Sequence, residues 1–297
     1  MTFCALSSAK GMDIKMKANL KILVVQMNIL SNVFGTDVRK TNVEHACKLL
    51  EKHLASNKEV DIAVLPEEFY AGAGYGPISL QDDEDTIRET VFEKLCNIAV
   101  KYNVNIVGAL STKFNETGFK GNNIGFVIER NGKLAPKYQE RFHQTESEKP
   151  FSYSGEEYVL FDLDCAKLGM VIGVDIFYPE IARNMVLKGA EILINPILAP
   201  GVKEKDLFPD NLYRICSTAR AMENQIFVVT VNGVGQFAHV DMPIFGESIV
   251  SGPTGILQDL GNDEEVKVVE LDESIKNEAK KNMDLYALRN DKMCSVI

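Results

Sequence analysis

The chain has 297 residues, 45% of them hydrophobic and 25% charged, with a formal net charge of -10 at pH 7. That size buries a large core in one or two domains. An acidic balance excludes a nucleic-acid partner, because a phosphate backbone needs clustered Lys and Arg, and it disfavours an anionic membrane surface. No apolar run reaches bilayer length, so no membrane partner is expected. Cys4, Cys47, Cys96, Cys165, Cys216 and Cys294 include no C-x-x-C pair and fall in apolar stretches, which predicts reduced thiols and a cytoplasmic protein.

Residues 1–18 read as an N-terminal extension and 19–297 as one domain, since no composition break marks a boundary. Lys21 to Met27 is an aliphatic run, predicted as a buried strand. Lys40 to Leu54 has helical spacing, Ile62 to Leu65 is a strand, and Asp82 to Tyr102 is a long helix with acids in its first turn. Strands follow at Asn105 to Leu110 and Ile124 to Glu129, with a turn at Asn131-Gly132. Two more strands span Tyr158 to Leu163 and Leu168 to Val174. Pro179 then opens a helix to Leu187, a position where proline's missing N–H costs nothing. A strand at Glu191 to Ile194, a helix at Asp210 to Asn224, and strands at Ile226 to Val231, Glu247 to Val250 and Val266 to Leu271 complete the reading. Alternating helices and buried strands make this an α/β protein. The tail Cys294-Ser295-Val296-Ile297 reads as a plain terminus rather than a prenylation signal.

Chemistry concentrates in a few segments. Leu65-Pro66-Glu67-Glu68 ends a buried strand with two carboxylates, where burial can raise a pKa and make a general base. Gly173-Val174-Asp175 leads from a strand toward the helix at Pro179. Gly189 to Pro196 ends with Asn195-Pro196, and Arg220 to Asn224 closes a helix. Together with Gln26 and Asn42, these ordered motifs resemble the nitrilase (carbon–nitrogen hydrolase) superfamily from Lys21 to about Asn290.

The resemblance implies a four-layer αββα sandwich that dimerises into an αββααββα assembly. It also implies a site with a Glu base, a Lys at the oxyanion and a Cys nucleophile. The base falls on Glu67. Counting back from Asp175, Pro179 and Glu180 puts Gly173 at the nucleophile position, and no cysteine lies between 166 and 215. Anchoring the lysine pattern on Tyr138 puts Glu140 in its slot, with Lys137 upstream as the alternative. The supporting acid falls on Glu148, seven residues before Gly155. His143, Val174, Asp175 and Asn195 are expected to line the substrate pocket with Gly173.

On this alignment two or three carboxylates share one pocket and raise one another's pKa. No cofactor or metal is expected; carboxylates alone would suit Mg or Ca at most. Gly72-Ala73-Gly74-Tyr75-Gly76 reads as a loop beside the base, not a phosphate cradle. Three functions fit. The first is an enzyme acting on a small amine, amide or amidine by carboxylate acid–base chemistry without a thioester. The second is an inactive binding or scaffolding subunit, and the third a conventional amidase with an unrecognised nucleophile. A small-molecule ligand and a homodimer are the expected partners.

Overall fold

The computed structural model describes residues 16–31, 37–72, 82–113, 120–146, 148–199, 212–237 and 242–290. In chain order the first half forms β1 (Asn19–Gln26), β2 (Asn28–Ile29), α1 (Arg39–Ser56), β3 (Ile62–Glu67), α2 (Glu84–Ile87), α3 (Glu93–Tyr102), β4 (Asn105–Thr112), β5 (Gly121–Ile128), β6 (Gln139–Glu140) and β7 (Ser152–Tyr153). The second half forms β8 (Leu160–Asp162), β9 (Lys167–Met170), α4 (Pro179–Leu187), β10 (Ile192–Pro196), α5 (Leu212–Asn224), β11 (Phe227–Val231), β12 (Val234–Gln236), β13 (Pro243–Phe245), β14 (Ile249–Gly252), β15 (Gly255–Asp259), β16 (Glu265–Asp272) and α6 (Glu273–Asn282).

One sheet runs β16-β1-β3-β4-β5-β6, with β7 also paired to β5; a second runs β15-β14-β11-β10-β9-β8. Side chains alternate across a strand, so each strand feeds two cores. Ile22, Val24, Ile62, Val64, Val107 and Val127 of the first sheet meet Leu168, Met170, Ile192, Ile194, Phe227 and Val229 of the second. The intervening residues Leu23, Ala63, Leu65, Ile106 and Phe126 face outward against Val43, Ala46 and Leu50 of α1 and Leu95, Ile98 and Ala99 of α3. On the other side Leu193 and Val228 pack against Ile181, Ala182 and Met185 of α4 and Ala221 of α5. The four layers are therefore helix, sheet, sheet, helix: the αββα sandwich.

Several boundaries differ from the sequence reading. The helix expected over 82–102 carries a π-helical stretch at Arg88–Phe92 between α2 and α3. The strand expected to reach Val174 ends at Met170, because Gly173 starts a 3-10 turn to Phe177. The helix α6 was not anticipated; its surface is polar, although Asp272 caps it by accepting from the Ser274 N–H. Met16, within the expected extension, is buried, and the Lys17 N–H donates to the Cys165 carbonyl (2.8 Å). Residues 1–15, 73–76 of the glycine-rich loop, 210–211 of the helix expected from Asp210, and the tail from 294 lie outside the described residues. Among the described residues no helix is long and apolar enough to cross a membrane.

Candidate active site

Glu67 is the last residue of β3. A register shift between Val64 and Glu67 sets it opposite Ala109, on the face that looks toward the second sheet. Its Oε1 accepts from Asn123 Nδ2 (2.9 Å) and Arg141 Nη1 (3.1 Å). Burial pushes its carboxyl above the ordinary carboxylate range, and the Arg141 charge, the Asn123 amide and the Leu198 N–H oppose that rise.

Arg141, not the expected Glu140, is the side chain that lies against Glu67. β6 pairs antiparallel with β5, Glu140 opposite Ile124 and Gln139 opposite Gly125. Ile124 faces α1 and α3, so Glu140 faces outward too, accepting from Asn122 Nδ2 (2.5 Å). The next residue turns back inward, and Arg141 occupies the place assigned to Glu140. One residue of register exchanges the faces. Lys137 is no substitute: it is exposed and paired with Glu157 (3.2 Å). Arg141 also bonds Glu148 (Nη2 to Oε1, 2.7 Å) and donates to Gln144. Glu67 and Glu148 thus share one guanidinium rather than repelling across an open pocket, and Arg141 holds Glu148 below its ordinary range against the opposing effect of burial. Counting the lysine pattern from His143 instead of Tyr138 finds Arg141 in sequence.

Gly173 lies directly against this pair. A Cβ built on it would stand 2.8 Å from Glu67 Oε2 and 3.2 Å from Arg141 Nη1. Its φ is +54°, in the left-handed region that favours glycine. Asn195, fully buried at the end of β10, holds the turn by donating to the carbonyls of Val171 (2.6 Å) and Gly173 (3.4 Å). Half-buried Val174 follows. Asp175 then accepts from the Phe142 N–H (2.8 Å), the His143 N–H (2.8 Å) and the His143 ring Nδ1 (3.0 Å). That carboxylate fastens the turn of the second sheet to the loop that carries Arg141. The His143 ring stacks on Tyr178 at 3.6 Å.

Two further residues escaped the sequence reading. Asn123 orients Glu67, but a polar residue in mid-strand carries no marker of that role. Tyr213 of α5 packs on Phe177 with ring centroids 4.6 Å apart. Burial, reinforced by the nearby Glu67 charge, keeps its phenol protonated. The described thiols lie elsewhere. Cys47 and Cys96 sit on α1 and α3, and Cys216 on α5. Cys165 precedes β9 and contacts Asn105 Nδ2 (3.7 Å), whose amide also bonds the Asp61 carbonyl. Asp61 is six residues of extended chain from Glu67, about 20 Å at ~3.3 Å per residue. Burial pushes the Cys165 thiol up to about 12.

Sequence comparison matches residues 21–280 to the carbon–nitrogen hydrolase family. The chain belongs to that family. A probable hydrolase of Bacillus subtilis is 32% identical over 63% of this chain, which spans only 36% of that protein. The 2-oxoglutaramate amidase of B. subtilis is 27% identical over 82% of this chain and 90% of its own length. A nitrilase of Pyrococcus abyssi is 27% identical over 92% of this chain and 93% of its own. The carbon–nitrogen hydrolase fold recurs in the crystal structure of a Helicobacter pylori member. Its TM-score is 0.77 at 24% identity, covering 93% of this chain and 96% of that one.

Proposed function

We propose that this carbon–nitrogen hydrolase family member cleaves a C–N bond of a small amide or related amine derivative by direct attack of water, without a cysteine thioester. The observation that carries the reading is the approach of Glu67 Oε2 to the bare α-carbon of Gly173, beside Arg141. A buried carboxylate whose pKa burial raises above the ordinary range is a stronger base than an exposed one. Glu67 takes a proton from water as the water oxygen attacks the acyl carbon. Arg141 supplies fixed positive charge for the oxyanion that develops. Glu148 holds Arg141, and Asp175 and Asn195 hold the loop and the turn. Relatives named amidase and nitrilase support the bond class. The burial of Cys165 and the upward push on its thiol weigh against it as the nucleophile and so support the water route.

We place the protein in the cytoplasm, on its scattered thiols, and in a homodimer, for which exposed Ile215 and Met222 on α5 offer an apolar face. Light scattering of purified protein tests the dimer.

Ammonia release from a panel of small aliphatic amides and nitriles tests the activity. Turnover is expected to survive alkylation of every accessible thiol and to fall at least ~100-fold in Glu67→Gln. An acyl adduct on any thiol, found by mass spectrometry during turnover, refutes the water route. No turnover with a ligand still bound at Arg141 would leave the binding-subunit reading standing.

A further inference from the structure

The second carboxylate of the Pro66-Glu67-Glu68 segment has an unusual setting. In an extended strand, neighbouring residues point to opposite faces. Glu68 has φ +53°, a left-handed conformation that residues other than glycine, asparagine and aspartate rarely adopt. Its N–H donates to the Ala109 carbonyl (3.0 Å) and its own carbonyl accepts from Gly72 N–H (2.9 Å), which holds the turn. The consequence is that Glu68 does not alternate away. Its Oε1 accepts from the hydroxyl of Ser111, the β4 residue paired with Asn123 of β5. Asn123 in turn serves Glu67. Two cross-strand neighbours therefore hold two consecutive carboxyl groups on one face, where alternation would have separated them. Among the described residues the other oxygen, Oε2, is enclosed and has no hydrogen-bond partner. A buried polar atom without a partner, on a strained residue beside a reactive site, calls for a functional account.

We propose, on the footing of the water-attack reading, that Glu68 is the acid of the site: it carries the proton that the departing nitrogen receives. Glu67 and Glu68 differ in what surrounds them. Among the described residues Glu67 accepts from a guanidinium, an amide and a backbone N–H, and Glu68 from a single hydroxyl. The charged groups around Glu68 are Glu67 on its own strand, Arg141 after β6, and Glu148 in the following loop. Burial first and the Glu67 charge second push its carboxyl up to about 8, so it is protonated at neutral pH. Two acids whose surroundings differ in this way divide into base and acid.

The step balances. Water's oxygen bonds to the acyl carbon while Glu67 takes one water proton. The C–N bond breaks, its electron pair goes to nitrogen, and nitrogen takes the Glu68 proton. The proton on Glu67 then passes to Glu68, leaving a carboxylic acid and an amine, which exchange a proton as they depart.

Two probes separate the roles: acetamide, whose nitrogen must be protonated to leave, and p-nitrophenyl acetate, whose leaving group needs no proton. Glu68→Gln is expected to lose on the order of 100-fold or more on acetamide and less than about threefold on the ester, where the departing phenolate needs no acid. Glu67→Gln is expected to lose on both. Without any variant, the acetamide rate of the unaltered protein is expected to fall above about pH 8, a limb absent from the ester profile. Equal losses on both probes in Glu68→Gln, or identical alkaline limbs for both probes, would overturn the assignment and leave the water route intact. Failure of the unaltered protein on both probes would overturn the water route and the assignment together.

Discussion

Replacing Arg141 with methionine tests whether the guanidinium offsets a buried charge. Arg141 is 4% exposed and bonds Glu67, which is 5% exposed, and Glu148. Without it, burial keeps Glu67 protonated through neutral pH, because an isolated carboxylate is too costly there. In the unfolded chain Glu67 ionises near its ordinary value of 4.5. Holding it neutral therefore costs about 1.4 kcal/mol for each pH unit above that value. The ceiling is about 3 kcal/mol at pH 7 and under about 1 kcal/mol at pH 5. The sign follows from proton counting: the folded variant binds a proton that the unfolded chain has released, so stability falls as pH rises above 4.5. At roughly 2 °C per kcal/mol for a chain of this size, Tm drops by about 6 °C at pH 7 and by about 1–2 °C at pH 5. Differential scanning calorimetry at both pH values reads this directly. The double variant Glu67→Gln, Arg141→Met should lose most of the pH dependence. An equal Tm loss at both pH values, or none at pH 7, refutes the buried-pair account.

Other outcomes follow from the same geometry. Gly173→Cys should destabilise by about 1–3 kcal/mol in urea titration, since it places a Cβ against the Glu67 carboxylate at a left-handed φ; an unchanged midpoint would show that the turn is not held as described. Cys165, with its thiol near 12, should have on the order of 10⁻⁴ of its population as thiolate at pH 8. Peptide mapping after brief iodoacetamide treatment should find it unlabelled in native protein and labelled in urea, and rapid native labelling would contradict its burial.

Much of the layering was legible because apolar periodicity reports burial directly. The run Ile62 to Leu65 and the helix from Pro179 to Leu187 appear where their patterns put them. What failed was register and local turn chemistry. Tyr138 and His143 are both plausible anchors for the same pattern, and the lysine positions they give differ by one residue. In a strand that difference decides whether Glu140 or Arg141 faces Glu67. Periodicity carries no mark of the left-handed turn at Glu68, because glutamate there breaks the usual preference. The early end of β9 at Met170 was hidden for the opposite reason: residues 171–172 are as apolar as a strand, and only Gly173 signals the turn.

The fastening made by Asp175 has a wider consequence. Glu67 belongs to one sheet and the glycine turn facing it belongs to the other, so the candidate site straddles a seam between layers. Any sliding of the layers past each other pulls Glu67 away from Gly173 before either sheet unravels. Hydrogen exchange at the Phe142 and His143 amides, expected to be slow because both donate to Asp175, would gauge whether the two layers stay in register, and on the proposed function their protection should vanish no later than turnover does.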